Sequence, residues 1–286
     1  MSTNTMKGFY EFEYGNLTEK LITFAGKAYP KFGNVIIMAG GAGSGKGFVK
    51  DKLVGAEGYT FDVDELKKLS AKTPAIIKKV KDELGVDLAK IGRDMKNPDN
   101  VAKMHEIIGD YLNLDDKRMQ TFYASIMTKD PSRKPNIIFD VTLKDLRKLQ
   151  NITNQVKSLG YNKNMIHIVW VVNDIEVAIK QNAARDRSVP VEILINTHRG
   201  AAQTMGDIIN MGRGLSKYMD GDIVFAFNKV GVDSDLAVSG RGGSYIKDSN
   251  YFYIKRSGKP ILPMEAISRD VRAKIKDYVP KGVDWD

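Results

Sequence analysis

Val35-Ile-Ile-Met-Ala39, followed at once by Gly40-Gly41-Ala42-Gly43-Ser44-Gly45-Lys46, is the part of the sequence from which the architecture can be read. Five apolar residues bounded by glycine read as a buried strand, and a helical pattern starts near Lys46. The glycines between them are therefore a strand-to-helix turn. A phosphate group needs several backbone N–H groups aimed at it, and glycine supplies the φ values and the close approach. The helix beyond adds the positive end of its dipole, and Lys46 can reach β- and γ-phosphates. Gly41, Ala42, Gly43, Ser44, Gly45, Lys46, Gly47 and Phe48 are thus the expected cradle of a nucleoside triphosphate, ATP or GTP.

The spacing is that of a Walker A loop, with one departure. Gly47 stands where Ser or Thr normally offers a hydroxyl to Mg²⁺. Gly-Ser-Gly-Lys-Gly resembles the loop of adenylate-kinase-like enzymes, which accept Gly there. Mg²⁺ is then expected on phosphates, water and carboxylates from elsewhere in the chain.

Outward from the loop, short apolar runs alternate with longer helical stretches. Tyr59–Val63, Ile137–Asp140, Ile166–Val172 and Asp222–Phe227 are further strand candidates, with helical patterns around Leu143–Leu159 and Asp174–Arg187. Such alternation implies right-handed βαβ crossovers. The expected fold class is α/β, a P-loop NTPase of kinase type. Its parallel sheet has about five strands flanked by helices, with a helical insertion and a C-terminal β-hairpin extension. The expected divisions are an N-terminal helical extension over 1–32, a core over 33–230 with an insertion at about 65–130, and a basic extension over 231–286. Asn16-Leu-Thr-Glu19 has capping-box form, with Leu17, Leu21 and Phe24 at helical spacing and Gly26 as the stop. The hairpin is expected within Tyr251–Ile261, around Ser257-Gly258.

Ligands of open parallel sheets lie beyond the carboxyl ends of the strands. Asp140 ends an apolar run there, in the position of a Walker B metal carboxylate; a helix N-cap before Leu143 is the alternative. The second strand runs into Phe61-Asp-Val-Asp64-Glu-Leu-Lys67. Here the chain resembles the zeta-toxin and polynucleotide-kinase families of P-loop kinases, whose second strand ends in an Asp that deprotonates the acceptor hydroxyl, with Arg or Lys three residues on. The resemblance implies Asp64 as general base and, with Lys67, as acceptor-binding residue; Asp62 falls to the metal shell or the strand end. An N-cap role is the alternative for Asp64. Arg185-Asp-Arg187-Ser-Val-Pro190 resembles the lid of the same families, implying lid arginines, Arg185 and Arg187, that join Lys46 at the transferring phosphate. Two apart on a regular helix they diverge, so one of them is expected there unless the helix ends between them; a solvated helix C-terminus is the alternative.

Composition narrows the remaining classes. The 286 residues are 42% hydrophobic and 28% charged, the make-up of a globular chain. Cys is absent, which excludes disulfide scaffolds and thiolate chemistry, and three scattered histidines give no zinc-hydrolase spacing. There is no apolar signal core and no run near the ~20 residues that span a bilayer, so a cytoplasmic protein without a membrane partner is expected, in a host cytoplasm if the source is viral. The formal net charge of +9 favours anionic partners. Arg241, Lys247, Lys255, Arg256 and Lys259, interleaved with Tyr245, Tyr251, Phe252 and Tyr253, have the composition of a single-strand nucleic-acid surface, or of a half-buried hairpin.

The function expected from these signals is transfer of the γ-phosphate of ATP to a hydroxyl of a nucleotide, nucleotide sugar or polynucleotide end. A nucleoside monophosphate kinase, or a non-kinase nucleotide-binding ATPase with an assembly role, is the alternative. The sequence names no inhibitor or protein partner.

Overall fold

The structure is a computed structural model that describes residues 21–233, 235–238, 244–248 and 250–285. Its first strand, β1 (Val35–Ala39), is buried along its whole length. Successive side chains point to opposite faces, so Val35, Ile37 and Ala39 enter one apolar cluster while Ile36 and Met38 enter another. A strand covered on both faces needs apolar residues at every position, which is why β1 shows no alternation.

The glycine loop leads from β1 into helix α1 (Lys46–Leu53). Then come β2 (Tyr59–Asp62) and α2 (Val63–Ser70). Helices α3 (Pro74–Leu84), α4 (Leu88–Arg93), α5 (Pro98–His105) and α6 (Leu114–Met127) make up the expected insertion, with a π-helical turn over Glu106–Tyr111. The insertion has its own small core, in which Val80, Leu88, Met104 and Ile108 are fully buried, whereas Phe122 and Ile126 of α6 pack on the main sheet.

The chain continues through β3 (Ile137–Asp140), α7 (Leu146–Ser158), β4 (Ile166–Val172), α8 (Ile175–Ala184), α9 (Val191–Asn210) and β5 (Ile223–Phe227). The strand order is β2-β3-β1-β4-β5-β8, where β8 is Asn250–Lys255. The first five strands are parallel and β8 runs antiparallel along β5. Helix α10 (Arg269–Tyr278) follows, and Trp285 beyond it is fully buried, stacked on Trp170 of β4 with ring centroids 5.4 Å apart.

Three expectations need correction. Residues 21–32, the described part of the N-terminal extension, are not helical: Ile22 pairs with Val54 and Phe24 with Lys27 in isolated bridges. Ile22 and Phe24 are both fully buried, so burial against the sheet outweighs the helical spacing. Asn16–Glu19 lies outside the described residues. The C-terminal hairpin exists as β6 (Asp235–Val238) with β7 (Ser244–Asp248), not around Ser257-Gly258. There, β8 has already found its partner in β5, and the turn after it is closed by the Lys259 N–H to the Arg256 carbonyl and the Leu262 N–H to the Ile254 carbonyl.

The tail is not a laid-open cationic surface either, where its side chains are described. Lys255 is buried on the Asp220 carboxylate at 2.6 Å, and the Arg256 guanidinium stacks 3.3 Å from the centre of the Tyr253 ring. The hydroxyls of Tyr251 and Tyr253 are bound to Leu21 and Thr23. Of the two readings, packing of the aromatics on the core holds for Tyr251 and Tyr253, although the strand that carries them pairs with β5 and not in a hairpin. Arg241 lies outside the described residues. No helix among the described residues is long and apolar enough to cross a membrane.

A polar clamp closes the amino end of the sheet. The Asp222 N–H donates to His167 Nδ1, which leaves the proton on Nε2 to meet Asn34 Oδ1 at 3.2 Å. The Asp222 carboxylate accepts from the Ala25 and Ser257 amides. These buried groups tie the segment before β1 to β4 and β5 at the end away from the glycine loop.

Candidate active site

The glycine loop sits at the carboxyl end of β1, between the ends of β3 and β4. Gly45 has φ 88°, in the left-handed region that favours glycine, and a Cβ there would meet the Asn228 amide nitrogen at 2.0 Å. Asn228 uses that nitrogen to donate to the Ser44 carbonyl at 2.9 Å, bracing the loop from the end of β5. Gly41 is needed for close approach: a Cβ would fall 2.0 Å from the His198 ring.

His198 and its neighbour on α9 hold one peptide of the loop by both ends. The Ala42 N–H donates to Thr197 Oγ1 at 3.1 Å, and His198 Nε2 lies 2.8 Å from the Ala42 carbonyl. A carbonyl only accepts, so Nε2 carries the proton. Burial pushes the His198 pKa down to about 4; the Ala42 bond opposes this and the Lys46 charge adds to it. The ring is thus neutral near pH 7. Lys46 folds back over the loop, with Nζ 3.0 Å from the Gly40 carbonyl and 3.7 Å from Asp140 Oδ1. A strand–glycine loop–helix with its lysine over the turn, on a parallel sheet flanked by helices, settles the fold class.

The fold is of the P-loop type.

Around the P-loop the sheet assembles the other expected residues. Asp62 and Asp140 are neighbours in register at the ends of β2 and β3. Asp62 accepts the Asp64 N–H at 2.8 Å, so Asp62 and not Asp64 caps α2. Asp140 does not cap a helix: α7 begins later, on Asp145. Burial raises the Asp140 pKa, Lys46 opposes this, and Asp62 and Asp64 add to it. Two adjacent carboxylates beside the loop lysine suit Mg²⁺, which keeps most of its waters and takes one or two carboxylates plus phosphates. Among the described residues no group of three acidic or histidine side chains forms a ready-made metal site.

Freed from capping, Asp64 lies in the first turn of α2, with Lys67 Nζ one turn on at 3.6 Å. The third member arrives from α8, whose helix stops at Ala184 rather than reaching Arg187. Asn182 organises the turn that follows, its side chain donating to the Val189 carbonyl and accepting the Val189 N–H. The Ser188 N–H donates to the Met95 carbonyl, fastening that turn to the insertion. Arg187 is thereby brought onto the Asp64 carboxylate as a direct ion pair, while Arg185 stays exposed. Burial alone would raise the Asp64 pKa; the Arg187 hydrogen bond and charge, with Lys67 and Lys46, bring it down to about 2.

Thr197, His198, Asn228 and Asn182 belong to no motif of the sequence that points to a site role. Three of them left a trace: Asn228 directly follows a buried strand, and Thr197 and His198 lie on the helix that Pro190 opens.

No family model matches the chain, and no curated protein matches it in sequence. Among solved structures, chains of the AvrRxo1-ORF1:AvrRxo1-ORF2 complex are similar in shape. The form with sulphate ions has 12% identity and a TM-score of 0.42 over 88% of this chain and 66% of that one. The form with ATP has 10% identity and a TM-score of 0.44 over 88% and 65%. This chain therefore spans just under two thirds of their length. A chain of the PezAT chromosomal toxin–antitoxin system of Streptococcus pneumoniae has 14% identity and a TM-score of 0.35 over 79% and 77%.

Proposed function

We propose that the protein is a phosphotransferase that moves the γ-phosphate of ATP, or GTP, to a hydroxyl of a nucleotide-like acceptor. One observation carries this reading: Arg187, from far along the chain, meets the Asp64/Lys67 pair in one cluster beside the P-loop lysine. The amides of residues 43–48 and Lys46 bind the triphosphate. Mg²⁺ arriving with it would be held by Asp140 and Asp62, directly or through water, and would neutralise charge on the phosphates.

The acceptor hydroxyl approaches from the Asp64 side. Its oxygen forms a bond to the γ-phosphorus, the bond from that phosphorus to the bridging oxygen breaks, and the nucleoside diphosphate leaves with the electron pair. The hydroxyl proton passes to an Asp64 carboxylate oxygen. A carboxylate held near pKa 2 by a guanidinium is a weak base. Arg187 therefore has to exchange Asp64 for the transferring phosphate, whose spreading charge suits a guanidinium. That exchange releases the base when the phosphate is in place. Arg185 stands next to it in the same turn.

Incubation with γ-labelled ATP and a panel of nucleosides, nucleotides, nucleotide sugars and 5′-hydroxyl oligonucleotides tests the reading. Label on any acceptor, lost in Asp64→Asn, supports it. ATP hydrolysis with no labelled acceptor would favour a non-kinase ATPase, the reading to which Gly47, with no hydroxyl for Mg²⁺, lends weight.

A further inference from the structure

A cavity of about 790 Å³ is lined by both cationic partners of Asp64, Lys67 and Arg187. One wall is α2 and the turn after it, a second is α4 of the insertion, and a third is the 184–187 turn. Lys67, Lys68, Lys72, Arg93, Arg185 and Arg187 line it, and Asp186 is the single carboxylate among the lining residues. Met95 and Met104 provide an apolar part of the wall. The Ser188–Met95 backbone bond holds the insertion and the turn together across it. Arg187 keeps its Nε–H buried with no hydrogen-bond partner among the described residues, a donor still to be satisfied.

Like charges gathered around one cavity repel each other less when an anion sits among them. Lys67 and Arg187 are already paired with Asp64. Lys68, Lys72, Arg93 and Arg185, however, face only Asp186 among the lining residues, more positive charge than one phosphate would balance, and guanidinium groups suit phosphate oxygens. The volume lies within the range of small-ligand sites. The geometry points to a binding site for a small, multiply phosphorylated acceptor, whose phosphates occupy this cavity while its hydroxyl reaches Asp64. This inference rests on the proposed phosphotransferase reading and narrows its acceptor from a polynucleotide end to a small molecule. The helical insertion thereby acquires a role: α4 brings Arg93 to the acceptor.

Pyrophosphate binding tests the site without any transfer. The P-loop is first saturated with β,γ-imido-ATP, and inorganic pyrophosphate is titrated calorimetrically. A parallel titration uses Lys46→Ala, in which the loop itself is weakened. Lys72 and Arg93 are exposed, so Lys72→Ala/Arg93→Ala should melt at the wild-type temperature. Pyrophosphate binding to the loop-filled protein, weakened at least tenfold in the double variant and further in Arg93→Glu, supports the site. Absence of binding with the loop filled, or equal binding by wild type and double variant, overturns it. A 5′-hydroxyl oligonucleotide that binds more tightly than pyrophosphate and is weakened equally by the double variant overturns the small-molecule assignment. Because the analogue transfers nothing, the site can fail while phosphotransfer stands, and the reverse.

Discussion

The Arg187 guanidinium is bound directly to the Asp64 carboxylate, joining the turn before α9 to the first turn of α2. Arg187 also lines the cationic cavity, and the proposed base is occupied until a stronger anion claims the arginine.

Asp64→Asn keeps side-chain size but cannot take a proton. ATP affinity should stay within a few-fold while transfer falls by roughly 10²–10⁴, the usual contribution of a general base. Lys67→Ala should raise the acceptor KM more than it lowers kcat, since its contact exists before the reaction. Steady-state kinetics on the labelled acceptor check both, and wild-type transfer by Asp64→Asn would reduce Asp64 to a structural residue.

Removal of Arg187 should return the Asp64 pKa upward from about 2 toward its ordinary 3.8. A carboxyl whose folded pKa is depressed contributes stability that is present above the unfolded value and is lost as pH falls through the folded one. Arg187→Ala should therefore lose stability relative to wild type above about pH 4, with the difference closing as pH falls toward 2. Carboxyl ¹³C titration and acid unfolding measure the two effects, and an unmoved Asp64 titration would contradict the ion pair.

His198 titrates in the opposite sense to a stabilising histidine. Its folded pKa is about 4 against an ordinary 6.5, so between these values the unfolded chain binds a proton that the folded chain does not. Stability should fall as pH drops through that window, by about 3 kcal/mol in full. His198→Gln can still donate to the Ala42 carbonyl and does not titrate. Its melting temperature should depend less on pH from 6.5 to 4 while ATP affinity is retained, whereas His198→Leu should lose ATP affinity. Identical pH profiles for wild type and His198→Gln would show that the ring is not buried neutral.

Gly47 has open space around it: a Cβ would meet nothing within 4 Å. Gly47→Ser should fit and add a hydroxyl beside the expected metal position. Mg²⁺-dependent ATP affinity should rise roughly 2–10-fold, the range of one added polar contact. Titration of ATP with and without Mg²⁺ checks this, and an equal change in both conditions would separate residue 47 from the metal.

Much of this site could be read from the chain because its signals are local. Buried parallel strands declare themselves as unbroken apolar runs, and the P-loop and the Asp64/Lys67 spacing each lie within a few residues. What escaped depends on partners far along the chain. Thr197 and His198 look like ordinary helix residues until α9 is laid over Ala42. Asn182 and the stop at Ala184 decide where Arg187 points, yet the periodicity continues past the stop. Leu21 and Phe24 had helical spacing, but the sheet took up their neighbourhood. Tyr253 and Arg256 had the composition of a nucleic-acid surface and became packing, because β5 offered β8 an edge.

The stack of Trp285 on Trp170 bears on the order in which the molecule is made. β4 lies next to β1, yet part of its covering comes from residues synthesised more than a hundred positions later. The P-loop and its strand can form early, but the part of the Trp170 face that Trp285 covers closes only when that residue, 115 positions further on, reaches it. Pairings this distant in sequence are slow to form and leave apolar surface exposed meanwhile. A chain in which Trp285 has not yet docked therefore keeps that part of the β4 face open and is prone to aggregate.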